Sequence, residues 1–185
     1  MFAYYTLNGN VSKVHARSLG SRARRRPRQP FTRLQVGGQR LVCAAHEPQH
    51  ESIAIVQSTW SQAVQQRERL GQVFYDRLFA LYPELQPMFR SDPALQRIRL
   101  VDMVDAGVKL LNSRRDLEQA LRDLGKRHVK YGTQEEQYPI VGENLLHALE
   151  SILGSKHFSE DMRKAWLDVY AYWSSVMLEG AREAQ

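Results

Sequence analysis

Histidine is the residue type in this chain best suited to chemistry, and one of the six histidines, His128, continues an apolar helical pattern. It follows Leu117, Leu121 and Leu124 at spacings of four, three and four residues, so its imidazole is expected on the inward face of a helix. An inward histidine is most often a hydrogen-bonded core residue. The alternative is a metal ligand, with one ring nitrogen on the metal and the other held by a partner.

The other ionisable residues give no comparable signal. Two of the other histidines, His147 and His157, lie on or beside polar helix faces, where we expect them to be exposed. The remaining three lie in a basic N-terminal segment: His15, His46 and His50. Glu135 and Glu136 are interpreted as solvated loop charges. The sequence contains no C-x-x-C, H-E-x-x-H, G-x-S-x-G or glycine-rich phosphate loop. Cys43 is the single cysteine, which excludes an intramolecular disulfide.

The elements that must position His128 are helices, because apolar residues recur at helical spacing from Ser52 to the end of the chain. Helix boundaries are predicted at proline, glycine and capping residues: Pro83, Asp92-Pro93, Pro139, Gly154 and Ser159. One predicted buried stripe consists of Ile98, Val101, Val104, Val108 and Leu111. No segment alternates as a β-strand does, so the fold class is predicted to be all-α, with about six to eight helices.

The positive charge is confined to residues 1–50. This segment holds nine Lys/Arg and one acid, a balance of +8, whereas residues 51–185 have a balance of −2. We predict a basic, disordered extension over 1–50 and a folded domain over 51–185. The extension is interpreted as a dispensable leader or an upstream start assignment, with an organelle transit peptide or a nucleic-acid-binding arm as the alternatives.

The folded part gives no reason to expect nucleic acid or a membrane as a partner. Its balance of −2 offers no basic surface, and no window approaches the roughly 18 consecutive apolar residues of a spanning helix. We therefore expect a cytoplasmic protein, with organelle targeting by the basic segment as the alternative.

Two stretches of the sequence are distinctive: LGKRHVKYG at 124–132, followed by YPIVG at 138–142, and FYDRLFALYPELQPMF at 74–89. Both closely resemble the globin family, in particular bacterial single-domain globins and the haem domain of flavohaemoglobins. The resemblance covers about residues 52–182. It implies a globin fold around haem b (iron protoporphyrin IX).

The resemblance also implies a role for individual residues. His128 falls on the proximal iron ligand and Phe89 on the phenylalanine that wedges against the porphyrin. On the ligand side, three positions match residues that line or face the bound gas: Tyr75, Gln96 and Leu100. Tyr138 matches a tyrosine that, in flavohaemoglobins, links the proximal histidine to a glutamate. Arg99 and Arg127 lie near enough in sequence to reach the haem propionates.

The sequence departs from the flavohaemoglobin pattern at the position of that glutamate. It should lie near Ala181, where the flanking acids are Glu179 and Glu183, on different faces of the last helix. Support of the proximal histidine by a carboxylate therefore stays open. No flavin or nicotinamide domain follows within these 185 residues, so a reaction that consumes electrons would need a separate reductase.

These features lead us to expect a globin that reversibly binds dioxygen for storage or transport. Tyr75 and Gln96 could donate hydrogen bonds to the electron-rich dioxygen, which would gain more from them than carbon monoxide. The alternatives are a nitric oxide dioxygenase that depends on a separate reductase, a haem-based gas sensor and a helical module without haem. Whether the protein is an enzyme stays open at this point.

Overall fold

The computed structural model describes residues 46–185, and every regular element within them is helical. These residues form six α-helices: α1 (His50–Ala63), α2 (Arg67–Leu81), α3 (Pro93–Leu110), α4 (Arg114–Lys130), α5 (Gln137–Leu153) and α6 (Glu160–Arg182). Two 3₁₀ helices, Val64–Gln66 and Pro83–Met88, precede and follow α2. The predicted all-α class is confirmed. Predictions that concern residues 1–45, among them those for His15 and Cys43, lie outside the described residues.

Most helix boundaries fall where the sequence predicts them. Pro83 follows the end of α2, because the proline ring cannot continue its hydrogen-bond ladder. The Asp92 carboxylate caps α3 by accepting hydrogen bonds from two backbone amides of the first turn, at 2.9 and 3.1 Å. Ser159 caps α6 in the same way, at 3.2 Å. Gly154 ends α5 with a φ of 87°, a conformation that glycine adopts without strain.

The start of α5 differs from the prediction. The helix begins at Gln137, two residues before Pro139, so the proline lies in the first turn and not at its first residue. The first-turn amides of a helix have no intrahelical acceptor, and a proline there removes no hydrogen bond. The correction brings Tyr138 into the first turn of α5.

The core is built around α6, which carries two tryptophans and two valines on its buried face. Trp166 is fully buried, and its Nε1 donates a hydrogen bond to Thr59 Oγ1 of α1 at 2.9 Å. The other large apolar side chains with almost no exposed surface come from all six helices: Val56, Leu70, Phe74, Leu78, Val101, Leu117, Leu149 and Val169. No helix within residues 46–185 combines the length and the apolar content needed to cross a membrane.

The prediction that Ile98 belongs to the core is wrong. Its side chain is 41 % exposed, whereas Val101, Val104 and Val108 of the same predicted stripe are buried. A helix advances about 100° per residue, so three residues fall about 60° short of a full turn. The two spacings of three from Ile98 to Val104 add these shifts in the same direction. Ile98 therefore lies at the edge of the buried face and contacts solvent.

The packing of the helices leaves the facing surfaces of α3 and α4 largely free of each other. α4 packs most extensively against α6, α3 packs against α2, and α2 crosses α5. α3 and α4 contact each other only sparsely, although a turn of three residues joins them. Gln96 and His128 are therefore carried by two helices that pack mainly against other helices.

Candidate functional site

His128 lies in the last turn of α4 with its imidazole half-buried. Its Nδ1 lies 2.9 Å from the carbonyl oxygen of Leu124, and a carbonyl oxygen can only accept a hydrogen bond. Burial lowers the pKa of His128, and the positive charge of Arg127 acts in the same direction, so the neutral ring predominates at pH 7. Nδ1 then carries the proton, and Nε2 keeps the lone pair that a metal ligand needs.

Tyr138 forms the wall beside this imidazole. The ring centroids of Tyr138 and His128 are 6.2 Å apart, and Tyr138 is buried. Burial raises the pKa of its hydroxyl, which therefore stays protonated at neutral pH. The Tyr170 hydroxyl donates a hydrogen bond to the Tyr138 carbonyl oxygen at 2.7 Å, so α6 holds the first turn of α5 in place. Tyr170 is a supporting residue that the sequence analysis missed.

The glutamates near the end of α6 pair with α4 and not with Tyr138. Glu179 binds Arg122 at 2.7 Å, while Glu183 binds Arg122 at 3.1 Å and Lys126 at 2.9 Å. The hydrogen-bond partner of the imidazole is thus a backbone carbonyl, and no carboxylate among residues 46–185 is hydrogen-bonded to it. A carbonyl orients the ring without giving it the negative character that a carboxylate would.

Three aromatic rings form a cluster at the junction of α2 and the second 3₁₀ helix. Tyr75 and Phe79 lie on α2, Phe89 follows the 3₁₀ helix, and each pair of ring centroids is 5.4 to 5.5 Å apart. Burial raises the pKa of Tyr75 to about 12, so its hydroxyl remains a hydrogen-bond donor at neutral pH. Phe79 was not predicted as a site residue, because it is an apolar residue of a helix rich in apolar residues.

The aromatic cluster is tied to the His128 side through the start of α5. Gln137 Nε2 lies 3.5 Å from Met88 Sδ, which places the residue before Phe89 against the residue before Tyr138. The structure therefore brings Phe89 and Tyr138, 49 residues apart, to adjoining parts of one region.

On α3, the predicted residues Gln96 and Leu100 share one helix face with Met103, at spacings of four and three residues. Gln96 and Leu100 are half-buried, and Met103 is 46 % exposed although it is apolar. The same helix packs closely on α2, where Arg97 Cβ covers Gly71. This face of α3 offers an amide and two flexible apolar side chains.

The two predicted cations lie on exposed surfaces of α3 and α4. Arg99 Nη1 donates a hydrogen bond to Ser91 Oγ at 3.0 Å. Neither Arg99 nor Arg127 forms an ion pair with an acid among the described residues. Both guanidinium groups are therefore free to bind a carboxylate ligand.

Comparison with known proteins decides the family. The family model described as Globin matches residues 72–177, more than half of the chain and the segment that carries every site residue predicted from the sequence. The chain is a globin.

Two relatives and one solved structure illustrate the similarity. This globin is 30 % identical over 140 residues to a neuroglobin from Dissostichus mawsoni, covering 68 % of this chain and 87 % of that protein. It is 29 % identical over 126 residues to a flavohemoprotein from Rhizobium meliloti (strain 1021), covering 66 % of this chain and 31 % of that protein. A bacterial globin from Campylobacter jejuni superposes with a TM-score of 0.63 at 25 % identity, covering 73 % of this chain and 97 % of that one.

Haem is the cofactor of this globin, and the residues described here fit it. Nε2 of His128 offers an unprotonated nitrogen of the kind that haem iron binds. The Phe89 cluster offers an apolar wall against which a porphyrin could pack, and Arg99 and Arg127 offer positive charge that could bind its two carboxylates. The donor set, the apolar wall and the cations thus come from α2, α3 and α4 and the chain between them.

Proposed function

We propose that this globin binds dioxygen reversibly, as a storage or transport protein, with His128 as the proximal ligand of haem iron. In this proposal Phe89 packs on the porphyrin, and Arg99 and Arg127 bind its propionates. Tyr75, Gln96 and Leu100 surround the gas, and Tyr138 packs beside the proximal imidazole. When bound, the haem supplies a ferrous iron that takes a gas ligand and shifts electron density onto it.

The observation that carries the proposal is the state of the Tyr75 hydroxyl. The Tyr75 ring is buried in the aromatic cluster, burial raises the pKa of its hydroxyl to about 12, and the hydroxyl forms no hydrogen bond with another of the residues 46–185. A largely desolvated hydroxyl that no protein group engages is available to donate a hydrogen bond to a ligand. Dioxygen on ferrous haem is such an acceptor, because it gains negative charge on binding.

The half-buried Gln96 offers a second hydrogen-bond donor from α3, whereas Tyr75 lies on α2. Its amide N–H can donate to the same ligand from α3, while Leu100 one turn later keeps the surroundings apolar. A low local polarity strengthens the hydrogen bonds that remain. Two donors from different helices would thus favour dioxygen over carbon monoxide, which develops less charge.

The substitution Tyr75→Phe tests this proposal, since it removes one hydroxyl and keeps the ring. We expect dioxygen to dissociate about 10- to 100-fold faster, because a hydrogen bond to a charged acceptor contributes roughly 1.5–3 kcal/mol. Stopped-flow or flash photolysis measures the rate. Carbon monoxide dissociation serves as the internal control and should change far less.

The substitution Gln96→Leu separates the two donors. A faster dioxygen dissociation in this variant assigns Gln96 a share of the stabilisation, and an unchanged rate assigns all of it to Tyr75. If neither variant alters dioxygen dissociation, the proposed role of the distal pair is wrong.

A nitric oxide dioxygenase is the second candidate, favoured by the combination of Tyr75 with Gln96 and by the similarity to a flavohemoprotein. In that reaction dioxygen and nitric oxide give nitrate, and each cycle needs one electron from a reductase. Steady consumption of nitric oxide with an added reductase, lost in Tyr75→Phe, would favour the enzyme. A single turnover combined with slow dioxygen dissociation would favour the binding protein.

A further inference from the structure

α4 and α6 cross with their backbones in direct contact at two glycines, Gly125 and Gly180. A Cβ atom on Gly125 would lie 2.7 Å from the carbonyl carbon of Met177, and a Cβ on Gly180 would lie 2.6 Å from the Cα of Arg122. The arrangement is reciprocal. Gly125 contacts Met177, three residues before Gly180, and Gly180 contacts Arg122, three residues before Gly125. Backbone atoms cannot rotate away as side chains can, so any side chain at either glycine would force the helices apart.

Ion pairs at the protein surface connect α4 to the end of α6 at the same crossing. Arg122 and Lys126 flank Gly125 on α4, and they bind Glu179 and Glu183, which flank Gly180 on α6, at 2.7 to 3.1 Å. The charged groups are part-exposed, so each pair contributes little by itself. Their position nevertheless opposes any separation of α4 from α6 at this point.

The contact lies one helical turn from His128. Gly125 directly follows Leu124, whose carbonyl oxygen holds His128 Nδ1 at 2.9 Å. The remaining helix from Gly125 to Lys130 is too short and too regular to absorb a displacement of the crossing. Any shift or tilt of α4 against α6 is therefore transmitted to the imidazole.

We propose that Gly125 and Gly180 are positioning residues for His128: their contact fixes the depth and tilt of α4, and through it the geometry of the iron–imidazole bond. The inference rests on the proposed role of His128 as the proximal ligand. It gives α6 a role toward α4, in addition to the hydrogen bond by which Tyr170 holds the first turn of α5.

Resonance Raman spectroscopy of the deoxygenated ferrous globin tests the inference, because the iron–histidine stretching band reports this bond directly. We expect Gly125→Ala and Gly180→Ala to shift or split the band and to release haem about tenfold faster, which corresponds to ~1.4 kcal/mol. Alanine is a better helix former than glycine, so helix propensity alone would not produce these losses.

Gly71→Ala is the matched control. A Cβ there would also be crowded, at 2.8 Å from Arg97 Cβ, but at the crossing of α2 with α3 and away from α4. It should leave the iron–histidine band in place. An unshifted band in both Gly125→Ala and Gly180→Ala, or the same shift in all three variants, overturns the inference.

Arg122→Gln keeps the inference testable if the glycine variants do not fold. It removes both ion pairs of Arg122 without adding atoms to the crossing, and we expect a smaller shift of the same band. No shift in Arg122→Gln, when the glycine variants do not fold, would contradict the inference. The proposed function fails differently, since the band would then be absent from the native globin or persist in His128→Ala.

Discussion

The tautomer of His128 is fixed by a backbone carbonyl, so no single side chain can be removed to change it. The Leu124 oxygen accepts from Nδ1 whatever residue stands at position 124, as long as α4 stays helical. A carbonyl also leaves the imidazole neutral, because it withdraws less of the Nδ1 proton than a carboxylate would. This arrangement suits reversible gas binding better than chemistry that needs a strongly electron-donating ligand.

His128→Ala is predicted to lose stable haem, because no other nitrogen ligand is placed in this position on α4. The Soret band after desalting measures retention, and added imidazole should restore part of it by occupying the cavity left by the ring. His147→Ala, an exposed histidine of α5, is the control and should retain haem normally. A native-like ligated spectrum in His128→Ala without imidazole would refute the assignment.

The sequence predicts some of the site residues and not others, and the difference is physical. His128 interrupts an apolar stripe with a polar ring, which is visible without a structure. Phe79 is an apolar residue of a helix rich in apolar residues and carries no signal of its own, although its ring packs on both Tyr75 and Phe89. The Leu124 carbonyl is a backbone group, which every residue possesses.

At the scale of elements, the buried hydrogen bond between Trp166 and Thr59 fixes α6 against α1. Thr59 Oγ1 accepts from Trp166 Nε1 at 2.9 Å and donates to the Ile55 carbonyl oxygen at 2.8 Å. Both side chains are almost completely buried. Water cannot replace a lost partner there without a rearrangement of the core.

Thr59→Val is predicted to lower the free energy of unfolding by about 1–3 kcal/mol, because it leaves the indole N–H buried without an acceptor. Thr59→Ser keeps the hydroxyl and should lose less. Urea unfolding followed by circular dichroism measures both variants. Equal losses in the two would mean that the methyl group, and not the hydrogen bond, accounts for the effect.

The boundaries of the elements are local properties, and the sequence predicts most of them. Pro83, Asp92 and Gly154 act on their own backbone or the next turn, and their predicted effects are confirmed. The approach of Gly125 to α6 is not local. A glycine in a helix is compatible with an exposed site or with a crossing, and only the arrangement of α4 against α6 distinguishes them.

At the scale of the whole molecule, the excess positive charge and the proposed haem-site residues lie in different parts of the sequence. Residues 1–45 hold nine of the 26 Lys/Arg and none of the 20 acids, so they account for the net charge of +6. Every residue proposed to contact haem or gas lies between Tyr75 and Tyr138. The most N-terminal ion pair of the described chain, Glu47 with Arg114, also lies beyond residue 45.

Deletion of residues 1–45 is therefore predicted to leave the haem site unchanged. The deletion keeps Glu47 and the whole of α1, which begins at His50, so no helix or ion pair of the described chain is cut. The Soret maximum and the dioxygen dissociation rate should match those of the full chain. The net charge would fall from +6 to −3, because 17 Lys/Arg and 20 acids remain.

Native-gel mobility checks the change of charge, and the spectra check the site in the same samples. An altered Soret band or gas rate would show that the basic segment acts on the haem pocket. Residues 1–45 carry nine cations and no acid, whereas residues 46–185 have a net charge of −3. Electrostatic attraction would therefore favour such a contact at low salt, and the altered signal should fade as ionic strength rises.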